Sequence, residues 1–184
     1  YQVLVLDYNG PRWGAQAEAA FLSAVRGGMG ISVIHAANNA FPGWTEYEQL
    51  VGHLWRKGTG HGRFHSFGLQ VLDHGHPITA TMPDFVDHPD ELYHRLVRAE
   101  GYERNVIGVS HSSKESGGTG NDEPMIIVGT FGKGRMFHTP LAHVCVCCIC
   151  SRIFGCITSC GFWGGNEVSM DRIQISMLKI YLYE

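Results

Sequence analysis

Near its N-terminal end the sequence contains the segment Val3-Leu4-Val5-Leu6-Asp7-Tyr8-Asn9-Gly10, from which the fold class can be inferred. Its first four residues form a continuous apolar run, which is typical of a strand buried on both faces of a sheet. Turn-forming residues follow directly, so we expect the strand to end there. The apolar pattern then predicts a helix over residues 15–26 and a second buried strand over residues 31–34. Strand, helix and strand in this order predict a βαβ unit, and hence an α/β fold with a mainly parallel sheet.

Further elements are predicted along the chain. Thr45 and Glu48 form a capping box ahead of a helix whose apolar residues keep the helical period as far as Trp55. Alternation between His65 and Val71 predicts a half-buried strand. The remaining predictions are a short element opening at residue 90, strands at residues 106–109 and 125–130, and a turn at residues 131–134 that leads into residues 135–141.

Composition divides the chain in two. All eleven histidines lie between His35 and His143, and all six cysteines lie between Cys145 and Cys160. With 184 residues the chain is long enough for one core, so we predict one domain over residues 1–143 and a cysteine-rich tail over residues 144–184. A net charge of −3 leaves no basic surface for nucleic acid. A cysteine-free body with no visible leader peptide favours a cytoplasmic location.

The tail has three interpretations. Residues 144–163 are long enough to span a membrane, but Arg152 lies near their centre and makes insertion costly. Four thiolates, from Cys145, Cys148, Cys156 and Cys160, have spacings that can bind zinc. The interpretation that we favour is an aberrant reading of sequence beyond an exon or frame boundary, since the histidines stop and the cysteines cluster abruptly.

Polar residues follow the predicted strands where ligands of such sheets gather. His35, Asn38 and Asn39 come directly after the second strand, although the asparagines can equally cap a turn. His61 and His65 have a spacing that can bind a metal, with loop histidines as the alternative, because no H-E-x-x-H signature is present.

A second set of acid and base groups lies later in the chain. Carboxylates and an imidazole occur together at Asp90, Glu91 and His94, and two more imidazoles at His138 and His143. Should these segments converge with His35, they would supply general acids and bases near neutral pH. Cysteine nucleophiles are excluded from residues 1–143.

A series of short motifs, taken in order, resembles the ThuA-like family, named for trehalose utilisation. The resemblance implies a flavodoxin-like, doubly wound sheet related to class I glutamine amidotransferases, and a role in carbohydrate metabolism. Those enzymes carry a cysteine where this chain has His35, so amidotransferase chemistry is expected to be absent. Family members begin with a further strand, helix and strand, so we expect this chain to be incomplete at its N-terminus. The motifs are Asn9-Gly10 with Trp13, His35-Ala36-Ala37-Asn38-Asn39, Gly58-Thr59-Gly60-His61-Gly62, His76-Pro77-Ile78, Asp90-Glu91-Leu92-Tyr93 and Gly132-Lys133-Gly134-Arg135 with His138 and His143.

Three functions follow as hypotheses. The first is an enzyme acting on trehalose or a related keto-sugar, with His35, Glu91, His94 and His138 as acids and bases, and His61 and His65 as ligands of a divalent metal such as zinc. The second is a non-catalytic carbohydrate- or partner-binding module, in which aromatic rings including Phe41 stack on the ligand. The third is a truncated, inactive product. The sugar, the reaction and the oligomeric state are left open. The predicted substrate-binding residues are Asn9, Trp13, Asn38, Asn39, Trp44, Tyr93, Arg135 and His143.

Overall fold

The computed structural model describes residues 2–102 and 104–143 in full, and residues 175–180 by their backbone. Most of the described secondary structure is β-strand, and two α-helices accompany it. In chain order the elements are β1 (Val3–Tyr8), α1 (Ala15–Gly27), β2 (Gly30–Ile34), a 3₁₀ turn (His35–Asn39), α2 (Thr45–Val51), β3 (His53–Leu54), β4 (Gly60–His61), β5 (His65–Val71), β6 (Phe85–Asp90), β7 (Tyr93–His94), β8 (Val97–Arg98), β9 (Asn105–His111), a second 3₁₀ turn (Lys114–Ser116), β10 (Asp122–Phe131), β11 (Gly134–Thr139) and β12 (Ile175–Ile180).

One mixed, eight-stranded sheet organises the described chain, in the order β12-β1-β2-β11-β10-β9-β5-β6. The four strands from β12 to β11 run parallel to one another. Every pairing from β11 to β6 is antiparallel. The expectation of a mainly parallel sheet is therefore wrong. The connection between β10 and β11 shows the physical reason for the antiparallel pairing. Only Gly132 and Lys133 separate the paired ends of the two strands, and a link of two residues can join antiparallel strands but not parallel ones.

The predicted βαβ unit is confirmed at the first two strands. Both are parallel, with Val3 opposite Gly30 and Leu6 opposite Val33, and α1 connects them. The apolar run of β1 is divided between two cores, since Val5 belongs to one buried cluster and Leu6 to the other. Burial on both faces explains why this run is continuous and not alternating.

The two faces of the sheet are covered differently. Both α-helices contribute to one apolar cluster, through residues such as Leu22 and Leu50. The cluster on the opposite face is closed by residues outside any described helix, including Ile78, Leu92 and Leu141. The doubly wound, flavodoxin-like arrangement, which needs helices on both faces, is thus not confirmed in the described residues.

The second helix is shorter than its apolar period suggests. It starts at Thr45, but the residue at its N-cap is Trp44, and no side chain caps it, so the expected capping box is wrong. The helix ends at Val51 because Gly52, with φ of 77°, turns the chain away. Trp55 consequently lies outside the helix and becomes available to the site.

The tail enters the described structure through β12 alone. Its backbone pairs in parallel with β1, from Ile175 opposite Val3 to Ile180 opposite Tyr8. The expected membrane span over residues 144–163 and the expected zinc-binding cysteines lie outside the described residues. The tail over residues 144–184, interpreted as an aberrant segment, also lies outside them except for β12. Within the described part of the chain, no helix has the length and apolarity needed to cross a bilayer.

Candidate functional site

The site begins at the end of β2, where His35 occupies a sharp elbow. Its backbone has φ of 46°, a conformation that a residue with a side chain adopts only under constraint. The ring is buried, and its Nδ1 lies 2.8 Å from the carbonyl oxygen of Pro140. Because a carbonyl can only accept a hydrogen bond, Nδ1 carries the proton and Nε2 presents a lone pair to the interior.

Tyr93 from β7 completes a neutral pair with this imidazole. The Tyr93 hydroxyl lies 2.9 Å from His35 Nε2 and donates to it. Burial lowers the pKa of His35 and raises that of Tyr93, and the nearby carboxylates of Glu91 and Asp90 raise the Tyr93 pKa further. Both groups are therefore uncharged at neutral pH.

Two more side chains meet His35 from different segments. His143 Nδ1 lies 3.2 Å from Glu91 Oε2 and 3.3 Å from His35 Nε2. The His143 side chain is 44% exposed, whereas that of Glu91 is 18% exposed, so His143 forms the solvent side of the group. We refer to His35, Glu91, Tyr93 and His143 as the His35 cluster. It combines a neutral imidazole, a phenol, a carboxylate and a solvent-facing imidazole.

Asp90, at the end of β6, binds the backbone of two segments that contribute to this cluster. Its carboxylate accepts hydrogen bonds from the backbone N–H groups of Glu91 at 2.8 Å, Ala142 at 2.7 Å and His143 at 3.1 Å. The His88 ring lies 3.3 Å away and adds a fourth donor. Burial by itself would raise the pKa of Asp90, but these hydrogen bonds hold it below its ordinary value. A charged, buried carboxylate thus fixes the loop that carries His143.

An aromatic surface borders the cluster. The Trp55 ring packs edge-on against Tyr93, with centroids 4.4 Å apart, and the His61 ring lies 5.9 Å from Trp55. We call Trp55 and Tyr93 the aromatic wall. His61 Nδ1 lies 2.6 Å from the Gly62 carbonyl and donates to it, which leaves Nε2 as an acceptor 3.9 Å from Glu91 Oε2. His61 therefore stands between the aromatic wall and the carboxylate.

The structure does not group His61 with His65 as metal ligands. His65 Nδ1 hydrogen-bonds to the Arg63 carbonyl at 2.8 Å. In the fully described ranges, the ligand atoms that do converge are those of His35, Glu91 and His143, which all lie within 4.8 Å of one another. Of the two predicted ligands, His61 lies in β4 next to the site, whereas His65 is the first residue of β5.

Two of the predicted acids and bases lie beneath the surface. His138 has no exposed area and contacts Asn38, with Nε2 3.3 Å from the amide nitrogen. Burial, together with the neighbouring His53, holds the His138 pKa well below its ordinary value. His94 is also buried, and its pKa is lowered mainly by that burial. The structure thus brings His35 and Glu91 of the predicted catalytic set into the cluster, and leaves His138 and His94 outside it.

The predicted substrate-binding residues are scattered. Asn9 accepts a hydrogen bond from Asn39 at 3.3 Å, at the carboxyl ends of β1 and β2. Trp44 is 2% exposed in the core, and Trp13 packs with neighbouring rings at the edge of that core. Arg135 lies four residues before Thr139, which pairs with Ile34, and this places it about 13 Å from the site along the strand.

Sequence reasoning misses two contributors, Trp55 and the Pro140 carbonyl, and also the role of Asp90. The apolar period assigns Trp55 to a helix face, and Gly52 is the signal that the helix stops before it. Asp90 is recognisable as a carboxylate, but two of the backbone N–H groups that donate to it are 52 and 53 residues away. The Pro140 carbonyl carries no signal in the sequence, because any residue offers one.

A family model and one solved structure at 32% identity show the family of this chain. A family model described as ThuA, trehalose utilisation, matches residues 1–146. A ThuA-like protein of Parabacteroides merdae has a TM-score of 0.70 and 32% sequence identity, covering 79% of this chain and 61% of that one. A ThuA-like protein of Bacteroides uniformis has a TM-score of 0.63 and 16% identity, covering 88% and 68%. A cytoplasmic protein of Salmonella typhimurium shares the fold, with a TM-score of 0.56 and 13% identity over 88% and 70%. No curated protein matches, and the chain spans less than two thirds of the Parabacteroides protein.

Proposed function

Because the chain belongs to the ThuA family, for which trehalose utilisation is the described role, we propose that it binds trehalose or a related keto-sugar at the His35 cluster and catalyses proton transfer on it. The observation that carries this proposal is the convergence of His35, Glu91, Tyr93 and His143 beside the aromatic wall. These groups come from the carboxyl end of β2, from β7 and its approach, and from the segment after β11. Ligands gather at this edge of an α/β sheet.

The aromatic wall suits the apolar C–H face of a sugar, and the His35 cluster suits its oxygen atoms. The Trp55 ring, half-buried against Tyr93, offers a flat apolar surface to the C–H face of a pyranose. The carboxylate and imidazoles of the cluster offer hydrogen bonds to hydroxyl or carbonyl oxygens. Apolar stacking with a few convergent polar groups is the usual composition of a small-molecule site.

We assign proton transfer to His61. It is partly exposed, its Nδ1–H is engaged by the Gly62 carbonyl, and its Nε2 is directed towards Glu91. The remaining lone pair can therefore take a proton from a sugar held against the wall. An imidazole is suited to giving and taking protons near neutral pH.

Binding is tested by calorimetric titration of the purified full chain with trehalose and with a keto derivative of trehalose. We expect one of these sugars to saturate one site, and Trp55→Ala to weaken binding at least about 10-fold, because stacking area is lost. Tyr102→Ala is the matched control, since Tyr102 is an exposed aromatic residue on Arg104 and outside the site. Equal effects of the two variants, or no saturable binding, would contradict the proposal.

Catalysis is tested by proton NMR of the bound sugar in D₂O. Wild-type protein is expected to exchange a carbon-bound proton of the keto-sugar for deuterium, or to release a product. His61→Ala should reduce that rate about 10²- to 10⁴-fold with little change in sugar affinity. Binding without any exchange or product in the wild type would instead support the non-catalytic binding module.

We propose that the protein is cytoplasmic, since residues 1–143 contain no cysteine and the Salmonella neighbour is described as a cytoplasmic protein.

A further inference from the structure

Two of the three separations between the ligand atoms of His35, Glu91 and His143 match those found around one metal ion. His35 Nε2 and His143 Nδ1 lie 3.3 Å apart, and His143 Nδ1 and Glu91 Oε2 lie 3.2 Å apart. Tetrahedral zinc with bonds of about 2.0–2.1 Å separates its ligands by about 3.4 Å. All three ligand atoms lie within 4.8 Å of one another, so one ion can be reached by all of them.

The tautomer of His35 also fits a metal ligand. Its Nδ1–H donates to the Pro140 carbonyl, so Nε2 carries the lone pair that faces His143. Metal-binding histidines characteristically hold their second nitrogen in such a hydrogen bond, which orients the ring.

The ligand atoms are held on a constrained backbone. His35 and Ala142 both have positive φ, at 46° and 96°. Asp90 binds the N–H groups of Glu91, Ala142 and His143, and so fixes two of the three ligands through their own backbone. Such preorganisation is what a binding site requires and what a random surface cluster lacks.

We propose that His35, Glu91 and His143 bind one divalent transition-metal ion, with a coordination position left open for an oxygen of the sugar. This inference rests on the proposed function and adds a cofactor to the same site. Two imidazole nitrogens and one carboxylate oxygen form a donor set that suits zinc or ferrous iron, and three protein ligands leave room for substrate. His61 stays outside the ligand set and remains the proton-transfer group.

Tyr93 provides a further test of the metal site. Its hydroxyl donates to the His35 Nε2 lone pair that an ion would use. Metal binding therefore competes with this hydrogen bond, and Tyr93→Phe, which removes the competitor, should leave zinc affinity equal or higher. A loss of affinity in Tyr93→Phe would contradict the assigned geometry.

The experiment is a zinc titration of the full chain after treatment with a chelator. Six cysteines of the tail can bind zinc themselves, so the titration uses a full-length background in which all six are replaced by serine. We expect one equivalent of zinc to bind. Glu91→Gln and His143→Ala should each weaken binding at least about 100-fold, because loss of a ligand costs more than loss of its outer partner. His65→Ala is the matched control and should not change zinc affinity, because His65 lies at the start of β5 and bonds to the Arg63 carbonyl.

Cobalt gives an independent readout. Co²⁺ bound by imidazole and carboxylate should show visible absorption without the charge-transfer bands of thiolate ligands, and circular dichroism of each variant should show that it is folded. Absence of saturable zinc binding, or binding that persists in both Glu91→Gln and His143→Ala, would overturn the proposal.

Failure here is distinguishable from failure of the proposed function. Trehalose and its keto derivative are titrated into the metal-free protein as well. If sugar binding depends on Trp55 but zinc does not bind, the metal site is wrong and the sugar site stands. If zinc binds but neither sugar does, with or without the metal, the metal site stands and the sugar site is wrong.

Discussion

The Asp90 carboxylate accepts four hydrogen bonds, three of them from backbone N–H groups. Two of those amides belong to Ala142 and His143, beyond the last strand of the antiparallel hairpin. A single buried side chain therefore joins the approach to β7 with the segment after β11. Loss of this carboxylate leaves several buried donors without an acceptor, which costs far more than the loss of one bond.

We expect Asp90→Ala to lower the free energy of unfolding by about 2–4 kcal/mol, since buried amides lose a charged partner. Urea denaturation followed by circular dichroism measures this effect. Asp122→Ala is the control, because Asp122 pairs with His111 at the surface, where both side chains are more than half exposed. Asp122→Ala should lower the free energy of unfolding by less than about 1 kcal/mol. Similar midpoint shifts for both variants would show that Asp90 does not hold the loop.

The buried His53 makes stability depend on pH. Burial, reinforced by Arg98 and Arg104, lowers its pKa to about 4. The unfolded chain binds a proton near pH 6.5 while the folded chain does not, so stability falls as the pH drops from about 6.5 to about 4. The loss attributable to His53 is about 3 kcal/mol at the lower end.

Urea midpoints measured between pH 7.5 and pH 4 test this dependence. His53→Gln removes the titrating group, so its stability should fall less steeply than that of the wild type over the same range. His138, whose pKa is also lowered by burial, keeps part of the slope in both proteins. Parallel curves for wild type and variant would contradict the assignment to His53.

Among the elements, α2 decides whether Trp55 reaches the site. The helix stops at Val51, and Gly52 adopts φ of 77°, so the following residues leave the helical path. A Cβ at Gly52 would also lie 2.4 Å from Arg104 Cγ. Only glycine makes this turn at low cost.

Gly52→Ala is expected to destabilise the protein by about 1–3 kcal/mol, from the left-handed backbone and from displacement of the Arg104 side chain. Thermal unfolding measures the loss. The control is Gly27→Ala, at the end of α1, where a Cβ would meet no atom within 4 Å. That variant should be neutral or stabilised by up to about 1 kcal/mol. A neutral Gly52→Ala would show that the turn tolerates a side chain.

At the scale of the whole molecule, one sheet separates two cores. Ile31 of β2 is buried against the helices, and Ile107 of β9 is buried on the opposite face. Each cluster closes one side of the same set of hydrogen-bonded strands. We therefore expect the two faces to unfold together.

Ile31→Val and Ile107→Val should each cost about 0.5–1.5 kcal/mol, and the double variant should equal their sum within about 0.5 kcal/mol. Both residues are fully buried, but they belong to different clusters and share no apolar partner cluster. Urea unfolding monitored by tryptophan fluorescence and by circular dichroism should give one coincident transition. Two separate transitions would mean that the faces fold as independent units.

Periodicity is a sound guide where a segment buries a whole face. It locates β1, α1 and β2 and the alternation of β5, because these patterns arise from which side of an element is removed from water. It fails at the direction of the later strands, since direction depends on the length of connections. Residue chemistry singles out His35, Glu91, Tyr93 and His143, which converge in one cluster, whereas Trp44 lies in the core and Arg135 lies farther along β11.

Strands β1, β2, β5, β9 and β10, the family resemblance and the supply of histidines and carboxylates can all be recognised in the amino-acid sequence. Local apolar pattern and residue type are written along the chain, so they need no partner to be recognised. The contact of His35 with His143, 108 residues apart, and the hydrogen bond from the Ala142 N–H to Asp90, 52 residues apart, become visible only in the folded chain. Those contacts depend on strand order and on the path of the loops, which are set by packing of the whole sheet and not by any local segment.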